Sequence, residues 1–173
     1  MTNYAKIKKY DIANGAGIRT SIFFSGCENK CKGCFNQELW DFDYGKPFTV
    51  ETYEKEVKPT INKHIAGLSI LGGDGLHPKN QRAVYGLCYR FKQDFPDKTI
   101  WLWSGYTWKE ITSNGFLECP DLLDYVDVLV DGRFELDKKN LTLPFRGSEN
   151  QRIIDVQKSL EEHTVVPLVL PTP

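Results

Sequence analysis

A chain of 173 residues with 40% apolar and 13% aromatic side chains holds enough hydrophobic volume for one domain, residues 1–173, with a sizeable core. Its 22 basic against 23 acidic side chains leave a net charge of -1, which offers no general attraction for phosphate backbones or anionic membranes, so neither nucleic acid nor membrane is an expected partner. The polar start Met1-Thr2-Asn3-Tyr4 and the lack of any apolar run near the roughly 20 residues of a membrane span predict a soluble, cytoplasmic chain without a signal peptide.

In chain order, Asn14-Gly15-Ala16-Gly17 reads as a hairpin-type turn or a flexible edge. Apolar and β-branched runs then predict strands at 19–25, 67–71, 99–103, 126–130 and 152–155, with a further short one at 165–169 before a proline-rich tail running to Pro173. Between them, 50–64, 80–95, 108–112 and 120–125 read as helices, the first shortened or kinked by Pro59. Alternation of this kind is α/β with a mainly parallel sheet. Strand-and-helix units of about 30 residues give five or six units at most, where a full eight-unit barrel needs roughly 250 residues, so a barrel built from this chain is open and partial.

Residues Gly26-Cys27-Glu28-Asn29-Lys30-Cys31-Lys32-Gly33-Cys34-Phe35-Asn36 place three cysteines at C-x3-C-x2-C spacing just after the first predicted strand. Positions i, i+4 and i+7 would share a helix face, where free cysteine packs as a small hydrophobe, but Gly26, Asn29 and Gly33 make a poor helix. Five cysteines with three clustered suit metal ligation better than a disulfide framework. Zinc would need a fourth ligand, and His64, His77 and His163 have no finger-like spacing to the trio. A four-iron cluster held by Cys27, Cys31 and Cys34 would instead keep one iron open.

The other predicted strands end in glycine-bearing polar turns, Gly72-Gly73-Asp74, Ser104-Gly105-Tyr106 and Asp131-Gly132-Arg133, so one rim at the carboxyl ends of parallel strands collects them all. Taken alone, Gly72-Gly73-Asp74 is an ordinary turn with a capping aspartate; beside a cluster, its glycines let backbone groups approach a zwitterionic ligand, and Asp74 would bind an ammonium or fix the loop. Trp101 and Trp103 alternate on one strand face and read as core; Cys88 and Cys119 read as packing residues and His77 as a loop residue. Lys30, Lys32 and Lys46 around the cysteines are either solvated surface or a dock for an acidic electron donor of flavodoxin type.

The cysteine spacing after a first strand resembles the signature of the radical S-adenosylmethionine superfamily, although Gly33 stands before the third cysteine where an aromatic residue is usual, and Phe35 follows it. The form Cys31 to Asn36, with Asp11 to Arg19, Gly72-Gly73-Asp74 and His77-Pro78, Trp101 to Tyr106, Val128 to Gly132, and Arg146-Gly147-Ser148-Glu149-Asn150-Gln151-Arg152, resembles the activating proteins of anaerobic (class III) ribonucleotide reductases over residues 10 to 155. Ala16 and Gly75 stand where that family usually has proline, which loosens two turns and removes no ligand. The resemblance implies an open radical-SAM-type barrel, a [4Fe-4S] cluster on Cys27, Cys31 and Cys34, and S-adenosylmethionine bound near Gly33, Cys34, Phe35, Gly72, Gly73, Asp74, Ser104 and Gly105. It further implies reductive cleavage to a 5'-deoxyadenosyl radical that takes hydrogen from a glycine of the large reductase subunit, with no side chain acting as acid or base and with Asp131, Asn150 and Arg152 as rim contacts to cofactor or partner.

Two other readings stand beside it. One is an activase of another glycyl radical enzyme, such as a formate-lyase, or another small superfamily member such as a deazaguanine synthase. The second is a metal-binding or electron-carrying module that never cleaves the cofactor.

Overall fold

The computed structural model describes residues 1–171 and arranges the apolar runs as an open sheet of seven strands among those residues. These are β1 (Asn3–Asp11), β2 (Arg19–Phe24), β3 (Lys46–Pro47), β4 (Gly67–Gly72), β5 (Thr99–Trp103), β6 (Val128–Asp131) and β7 (Arg152–Asp155), in the spatial order β3-β1-β2-β4-β5-β6-β7. The central four, β2, β4, β5 and β6, run parallel, with pairs such as Ile22 with Ile70 and Leu102 with Leu129. The mixed α/β class with a mostly parallel sheet is as expected, and the described strands do not close into a barrel.

Side chains alternate across a strand, and both faces of this centre are covered. Ile22, Ile70, Leu102 and Leu129 pack into the larger core, under α2 (Pro78–Asp94), which contributes Val84, Leu87, Cys88 and Phe91 at helical spacing. Phe23 and Leu71, with Trp101 and Val130, face the other way in two smaller apolar clusters. Pro78 opens α2 where its missing N–H is not needed, and the buried His77 precedes it, its Nδ1 accepting from the Lys79 N–H at 3.3 Å.

The departures from expectation have local causes. β1 is a strand that the polar start concealed: Tyr4 and Asp11 are buried, whereas Lys6, Lys8 and Lys9 are exposed along the stretch that the two-residue edge strand β3 leaves uncovered, as charged residues commonly blunt a sheet edge. β7 is antiparallel to β6 because residues 132–151 stay on the rim where β6 ends instead of crossing over a sheet face. The strand expected at 165–169 is reduced to one bridge between Ile154 and Pro167, since proline cannot donate to a ladder; α4 (Val156–Glu162) precedes it, and Thr172 and Pro173 lie outside the described residues. The helix expected at 50–64 is one turn, α1 (Val50–Thr52), that widens over Tyr53–Val57 and tightens to a 3₁₀ turn at Lys58–Thr60, where Pro59 ends it. The segment Pro120–Tyr125 is also 3₁₀, whereas the expected helix near 108 is the short α3 (Trp108–Ile111).

The 12–18 turn joins β1 to β2 at the amino end of the parallel strands, opposite the cysteine loop, so it is a floor and not an edge over a cluster. Asp11 and Arg19 hold it. The buried Arg19 guanidinium donates to Ala16 O, Ser69 Oγ, Leu68 O and Thr99 O, and lies 5.6 Å from the Trp101 ring. Asp11 accepts from Ser21 Oγ (2.6 Å), Asn14 Nδ2 (2.6 Å) and the Ala13 N–H (3.0 Å). Burial pushes the Asp11 carboxyl up, but these bonds and Lys8 outweigh it and bring the pKa to about 2. A depressed carboxyl contributes stability that is present above its unfolded pKa of 3.8 and is lost as pH falls toward the folded value. Asp11→Ala is therefore expected to lower unfolding free energy by about 2 kcal/mol at neutral pH, with the gap to wild type narrowing below about pH 4 in denaturant titrations. A gap that does not change with pH contradicts this account.

Candidate functional site

At the carboxyl ends of the parallel strands, the chain leaving β2 turns sharply at Gly26, whose φ of +99° is open to glycine and whose N–H donates to Leu39 O at 2.8 Å. Cys27 is buried directly after it, and Cys31 and Cys34 are half-buried in a turn closed by the Cys34 N–H to Cys31 O at 3.0 Å. All three open onto one cavity of ≈590 Å³. The walls of that cavity are Phe23, Leu71 and Trp103 from the sheet face together with the rim turns, and Ala13 and Asn14 form its floor.

Of the residues expected at a cofactor, Cys34, Phe35, Gly72, Gly73, Asp74, Ser104 and Gly105 line this cavity; Gly33 sits within the cysteine turn at φ +77° and is not in its wall. Phe35 is exposed and packs on Phe134 with the rings tilted by 57° and their centroids 5.1 Å apart. Asp74 is buried, and both of its oxygens are occupied. Oδ1 accepts from Ser104 Oγ (2.9 Å) and the Leu76 N–H (3.0 Å), while Oδ2 accepts from the Gly105 N–H (2.8 Å) and Asn29 Nδ2 (3.1 Å). Burial pushes this carboxyl's pKa up, against the pull of those donors. Asp74 thus ties the β4 turn to the β5 turn and to the cysteine loop. Gly73 shares that task sterically: a Cβ there would lie 2.6 Å from Gly26 O, so a side chain would push the two turns apart.

Asn29, between the first two cysteines, was not anticipated. Its Oδ1 accepts from Arg133 Nε at 3.1 Å, and Arg133 forms a fork on Glu110 at 3.1 and 3.2 Å. Asn80 likewise donates from the first turn of α2 to Ser25 O and Asp74 O, both at 2.9 Å. The only sequence signal for either residue was its place beside a recognised motif. The three rim residues Asp131, Asn150 and Arg152 are not in the cavity wall. Buried Asp131 pairs with Arg152 (Nη2 to Oδ2 2.6 Å) and accepts the Trp108 N–H at 2.7 Å, joining β6, β7 and α3, and Asn150 donates to Arg133 O at 2.8 Å. Lys30, Lys32 and Lys46 are exposed.

The donor set suits an iron-sulfur cube. Burial pushes the Cys27 thiol up to about 11 and raises Cys31, so these sulfurs are protonated thiols until a metal displaces the proton. Among the described residues no three His, Cys, Asp or Glu side chains converge as ligands of one ion, which a cube does not require because each thiolate binds a different iron.

Comparison with known proteins agrees with this geometry. The family description "4Fe-4S single cluster domain" matches residues 13–154. A protein of Vibrio cholerae named anaerobic ribonucleoside-triphosphate reductase-activating protein is 42% identical over 153 residues, which cover 87% of this chain and 96% of its own. The chain belongs to this family of activating proteins. Members of the same name from Enterobacteria phage T4 and Escherichia coli K12 are 38% and 37% identical over 151 residues, covering 87% and 86% of this chain and 92% and 96% of theirs. In this chain the matched residues 13–154 hold three cysteines on the cavity and two, Cys88 and Cys119, packed with the helix-side core. No helix among the described residues is long and apolar enough to cross a membrane.

Proposed function

We propose that this chain activates an anaerobic ribonucleotide reductase, as a radical-SAM-type enzyme built on an open partial barrel. The observation that carries the reading is the convergence of Cys27, Cys31 and Cys34 on one cavity at the carboxyl rim of parallel strands, in a chain of the activating-protein family. Those cysteines hold the cluster, and the cavity beside them seats S-adenosylmethionine. When bound, the pair supplies a one-electron reductive cleavage that yields methionine and a 5'-deoxyadenosyl radical able to take the α-hydrogen of a glycine in the reductase.

The protein's own part is placement. Gly72, Gly73 and Gly105 keep the rim free of side chains, and Asp74 and Ser104 fix the turns against the cysteine loop. Gly33 and Phe35 shape the turn that carries Cys34 at the cavity mouth. Phe23, Leu71 and Trp103 line the wall with apolar surface and keep water from a reactive radical. A cavity open at the rim suits a substrate that is itself a protein loop. Asp131, Asn150 and Arg152 act there indirectly, by holding the 132–151 segment in place. An acidic electron donor of flavodoxin type would meet the exposed lysines Lys30, Lys32 and Lys46.

The test is anaerobic reconstitution with iron and sulfide, reduction, and addition of S-adenosylmethionine with and without the large reductase subunit. The expected products are 5'-deoxyadenosine and methionine, with a glycyl radical signal by electron paramagnetic resonance when the reductase is present. A stable cluster that never yields 5'-deoxyadenosine identifies an electron-carrying module instead. Cleavage without a radical on the reductase points to another glycyl radical enzyme.

A further inference from the structure

Only two charged side chains line the cavity among the described residues, Asp74 and Arg146. The acceptors of Asp74 are each taken by two protein donors. Arg146 is the opposite case. No hydrogen bond or ion pair of its side chain is found among the described residues, and its Nε is buried with no acceptor. A buried guanidinium N–H without a partner costs on the order of 1–3 kcal/mol; the two terminal amino groups, which are also unbonded but accessible, are the atoms left to meet a ligand. The neighbouring rim arginines show the contrast, Arg133 being paired with Glu110 and Arg152 with Asp131.

The backbone that presents Arg146 is held firmly. Phe145, just before it, has φ +58°, a left-handed conformation that is unfavourable for an aromatic residue. Its carbonyl accepts from Trp103 Nε1 at 2.8 Å, and its ring packs on Trp101 at 5.2 Å between centroids. On the other side, the Gly147 N–H donates to Gln151 Oε1 at 2.9 Å and Gly147 O accepts from the Asn140 N–H at 3.0 Å. A Cβ on Gly147 would stand 2.9 Å from Phe35 and 3.0 Å from Phe134, so the turn is pressed against the aromatic pair at the cavity mouth.

We infer that Arg146 is the carboxylate-binding residue of this cavity, a role not filled by Arg152, which is paired with Asp131, or by Asn150, whose Nδ2 donates to Arg133 O; neither lines the cavity. The planar fork of a guanidinium matches a carboxylate with two parallel hydrogen bonds, and the apolar wall around it strengthens that pairing. The inference rests on the function proposed above, in which the α-carboxylate of the cofactor's amino-acid portion reaches the cavity; a carboxylate on the incoming reductase segment is the other source the experiment must separate.

The experiment measures equilibrium dissociation constants of cluster-loaded wild type, Arg146→Gln and Arg146→Lys for S-adenosylmethionine, for its decarboxylated analogue, and for the large reductase subunit. If the cofactor supplies the carboxylate, Arg146→Gln weakens S-adenosylmethionine by about tenfold or more and leaves the analogue unchanged, while the lysine variant recovers part of the loss. If the reductase supplies it, cofactor binding stays within about twofold and reductase binding falls by about tenfold. The inference is overturned if neither constant moves, or if S-adenosylmethionine and its analogue weaken alike, which is a loss of cavity shape. Should the glutamine variant fail to fold, the lysine variant decides, because it keeps the charge and lacks the fork. Failure here is separable from failure of the proposed function, since wild type would still form 5'-deoxyadenosine.

Discussion

Cys31→Ala is expected to abolish cluster retention and 5'-deoxyadenosine formation while leaving the fold intact. Cys31 is half-buried and its thiol meets only backbone N–H groups, of Phe134 and of Cys31 itself, so its loss should change unfolding free energy by no more than about 1 kcal/mol. No substitute donor stands ready. His77 is buried as the cap of α2 with its Nε2 3.2 Å from Glu28, and Cys88 and Cys119 pack with the core on the other side of the sheet. With two thiolates a cube loses the ligand of one more iron, and solvent reaches a site whose walls are otherwise Phe23, Leu71 and Trp103. The check is iron and sulfide content after anaerobic reconstitution, with 5'-deoxyadenosine counted in the same sample. Cys88→Ala is the matched control, expected to bind iron normally and to be destabilised by about 1 kcal/mol through lost core packing. Retention of iron and cleavage by the Cys31 variant defeats the cluster assignment.

The contrast between these two cysteines marks what a linear sequence exposes. Ligands to a cluster must come close along the chain or be brought together by the fold, and here all three lie within one short loop, residues 27–34, so their spacing alone carried the chemistry. Strands β2, β4, β5 and β6 were equally open to reading, because burial on both faces makes them nearly continuous apolar runs. β1 was not, since its lysines face solvent at the sheet edge and only part of the strand carries the signal. The direction of β7 depends on whether 132–151 crosses a sheet face, which no local pattern encodes. The same holds within the site. Gly72-Gly73-Asp74 reads as a turn from any sequence, but the partners that occupy Asp74 come from 31 residues ahead at Gly105 and 45 behind at Asn29. The isolation of Arg146 is a fact about which carboxylates are absent around it in space, and a sequence holding 23 acidic residues gives no hint of it.

Asp74→Ala should be the most damaging change outside the cysteines. It removes one acceptor group and strands four donors: the Leu76 and Gly105 N–H groups, the Ser104 hydroxyl and the Asn29 amide, all at the meeting point of three rim turns. Buried donors left without partners cost on the order of 1–3 kcal/mol each, partly relieved where water enters the cavity, so a net loss of about 3 kcal/mol or more is expected. Asp74→Asn keeps the shape and one acceptor oxygen, but its amide group meets at least one backbone N–H head-on, because each side of the carboxylate faces one. It should fall between wild type and alanine in thermal or denaturant unfolding. The cluster-loaded asparagine variant also separates two roles. If Asp74 only ties the turns together, S-adenosylmethionine binding should weaken in proportion to the loss of stability, and an Asn29→Ala change, which loosens the same junction from the other side, should weaken it in the same manner. If the cofactor's ammonium bonds to the carboxylate itself, Asp74→Asn should reduce cofactor affinity far more than Asn29→Ala at equal stability. With both oxygens of Asp74 already carrying two donors, the first of these outcomes is the expected one.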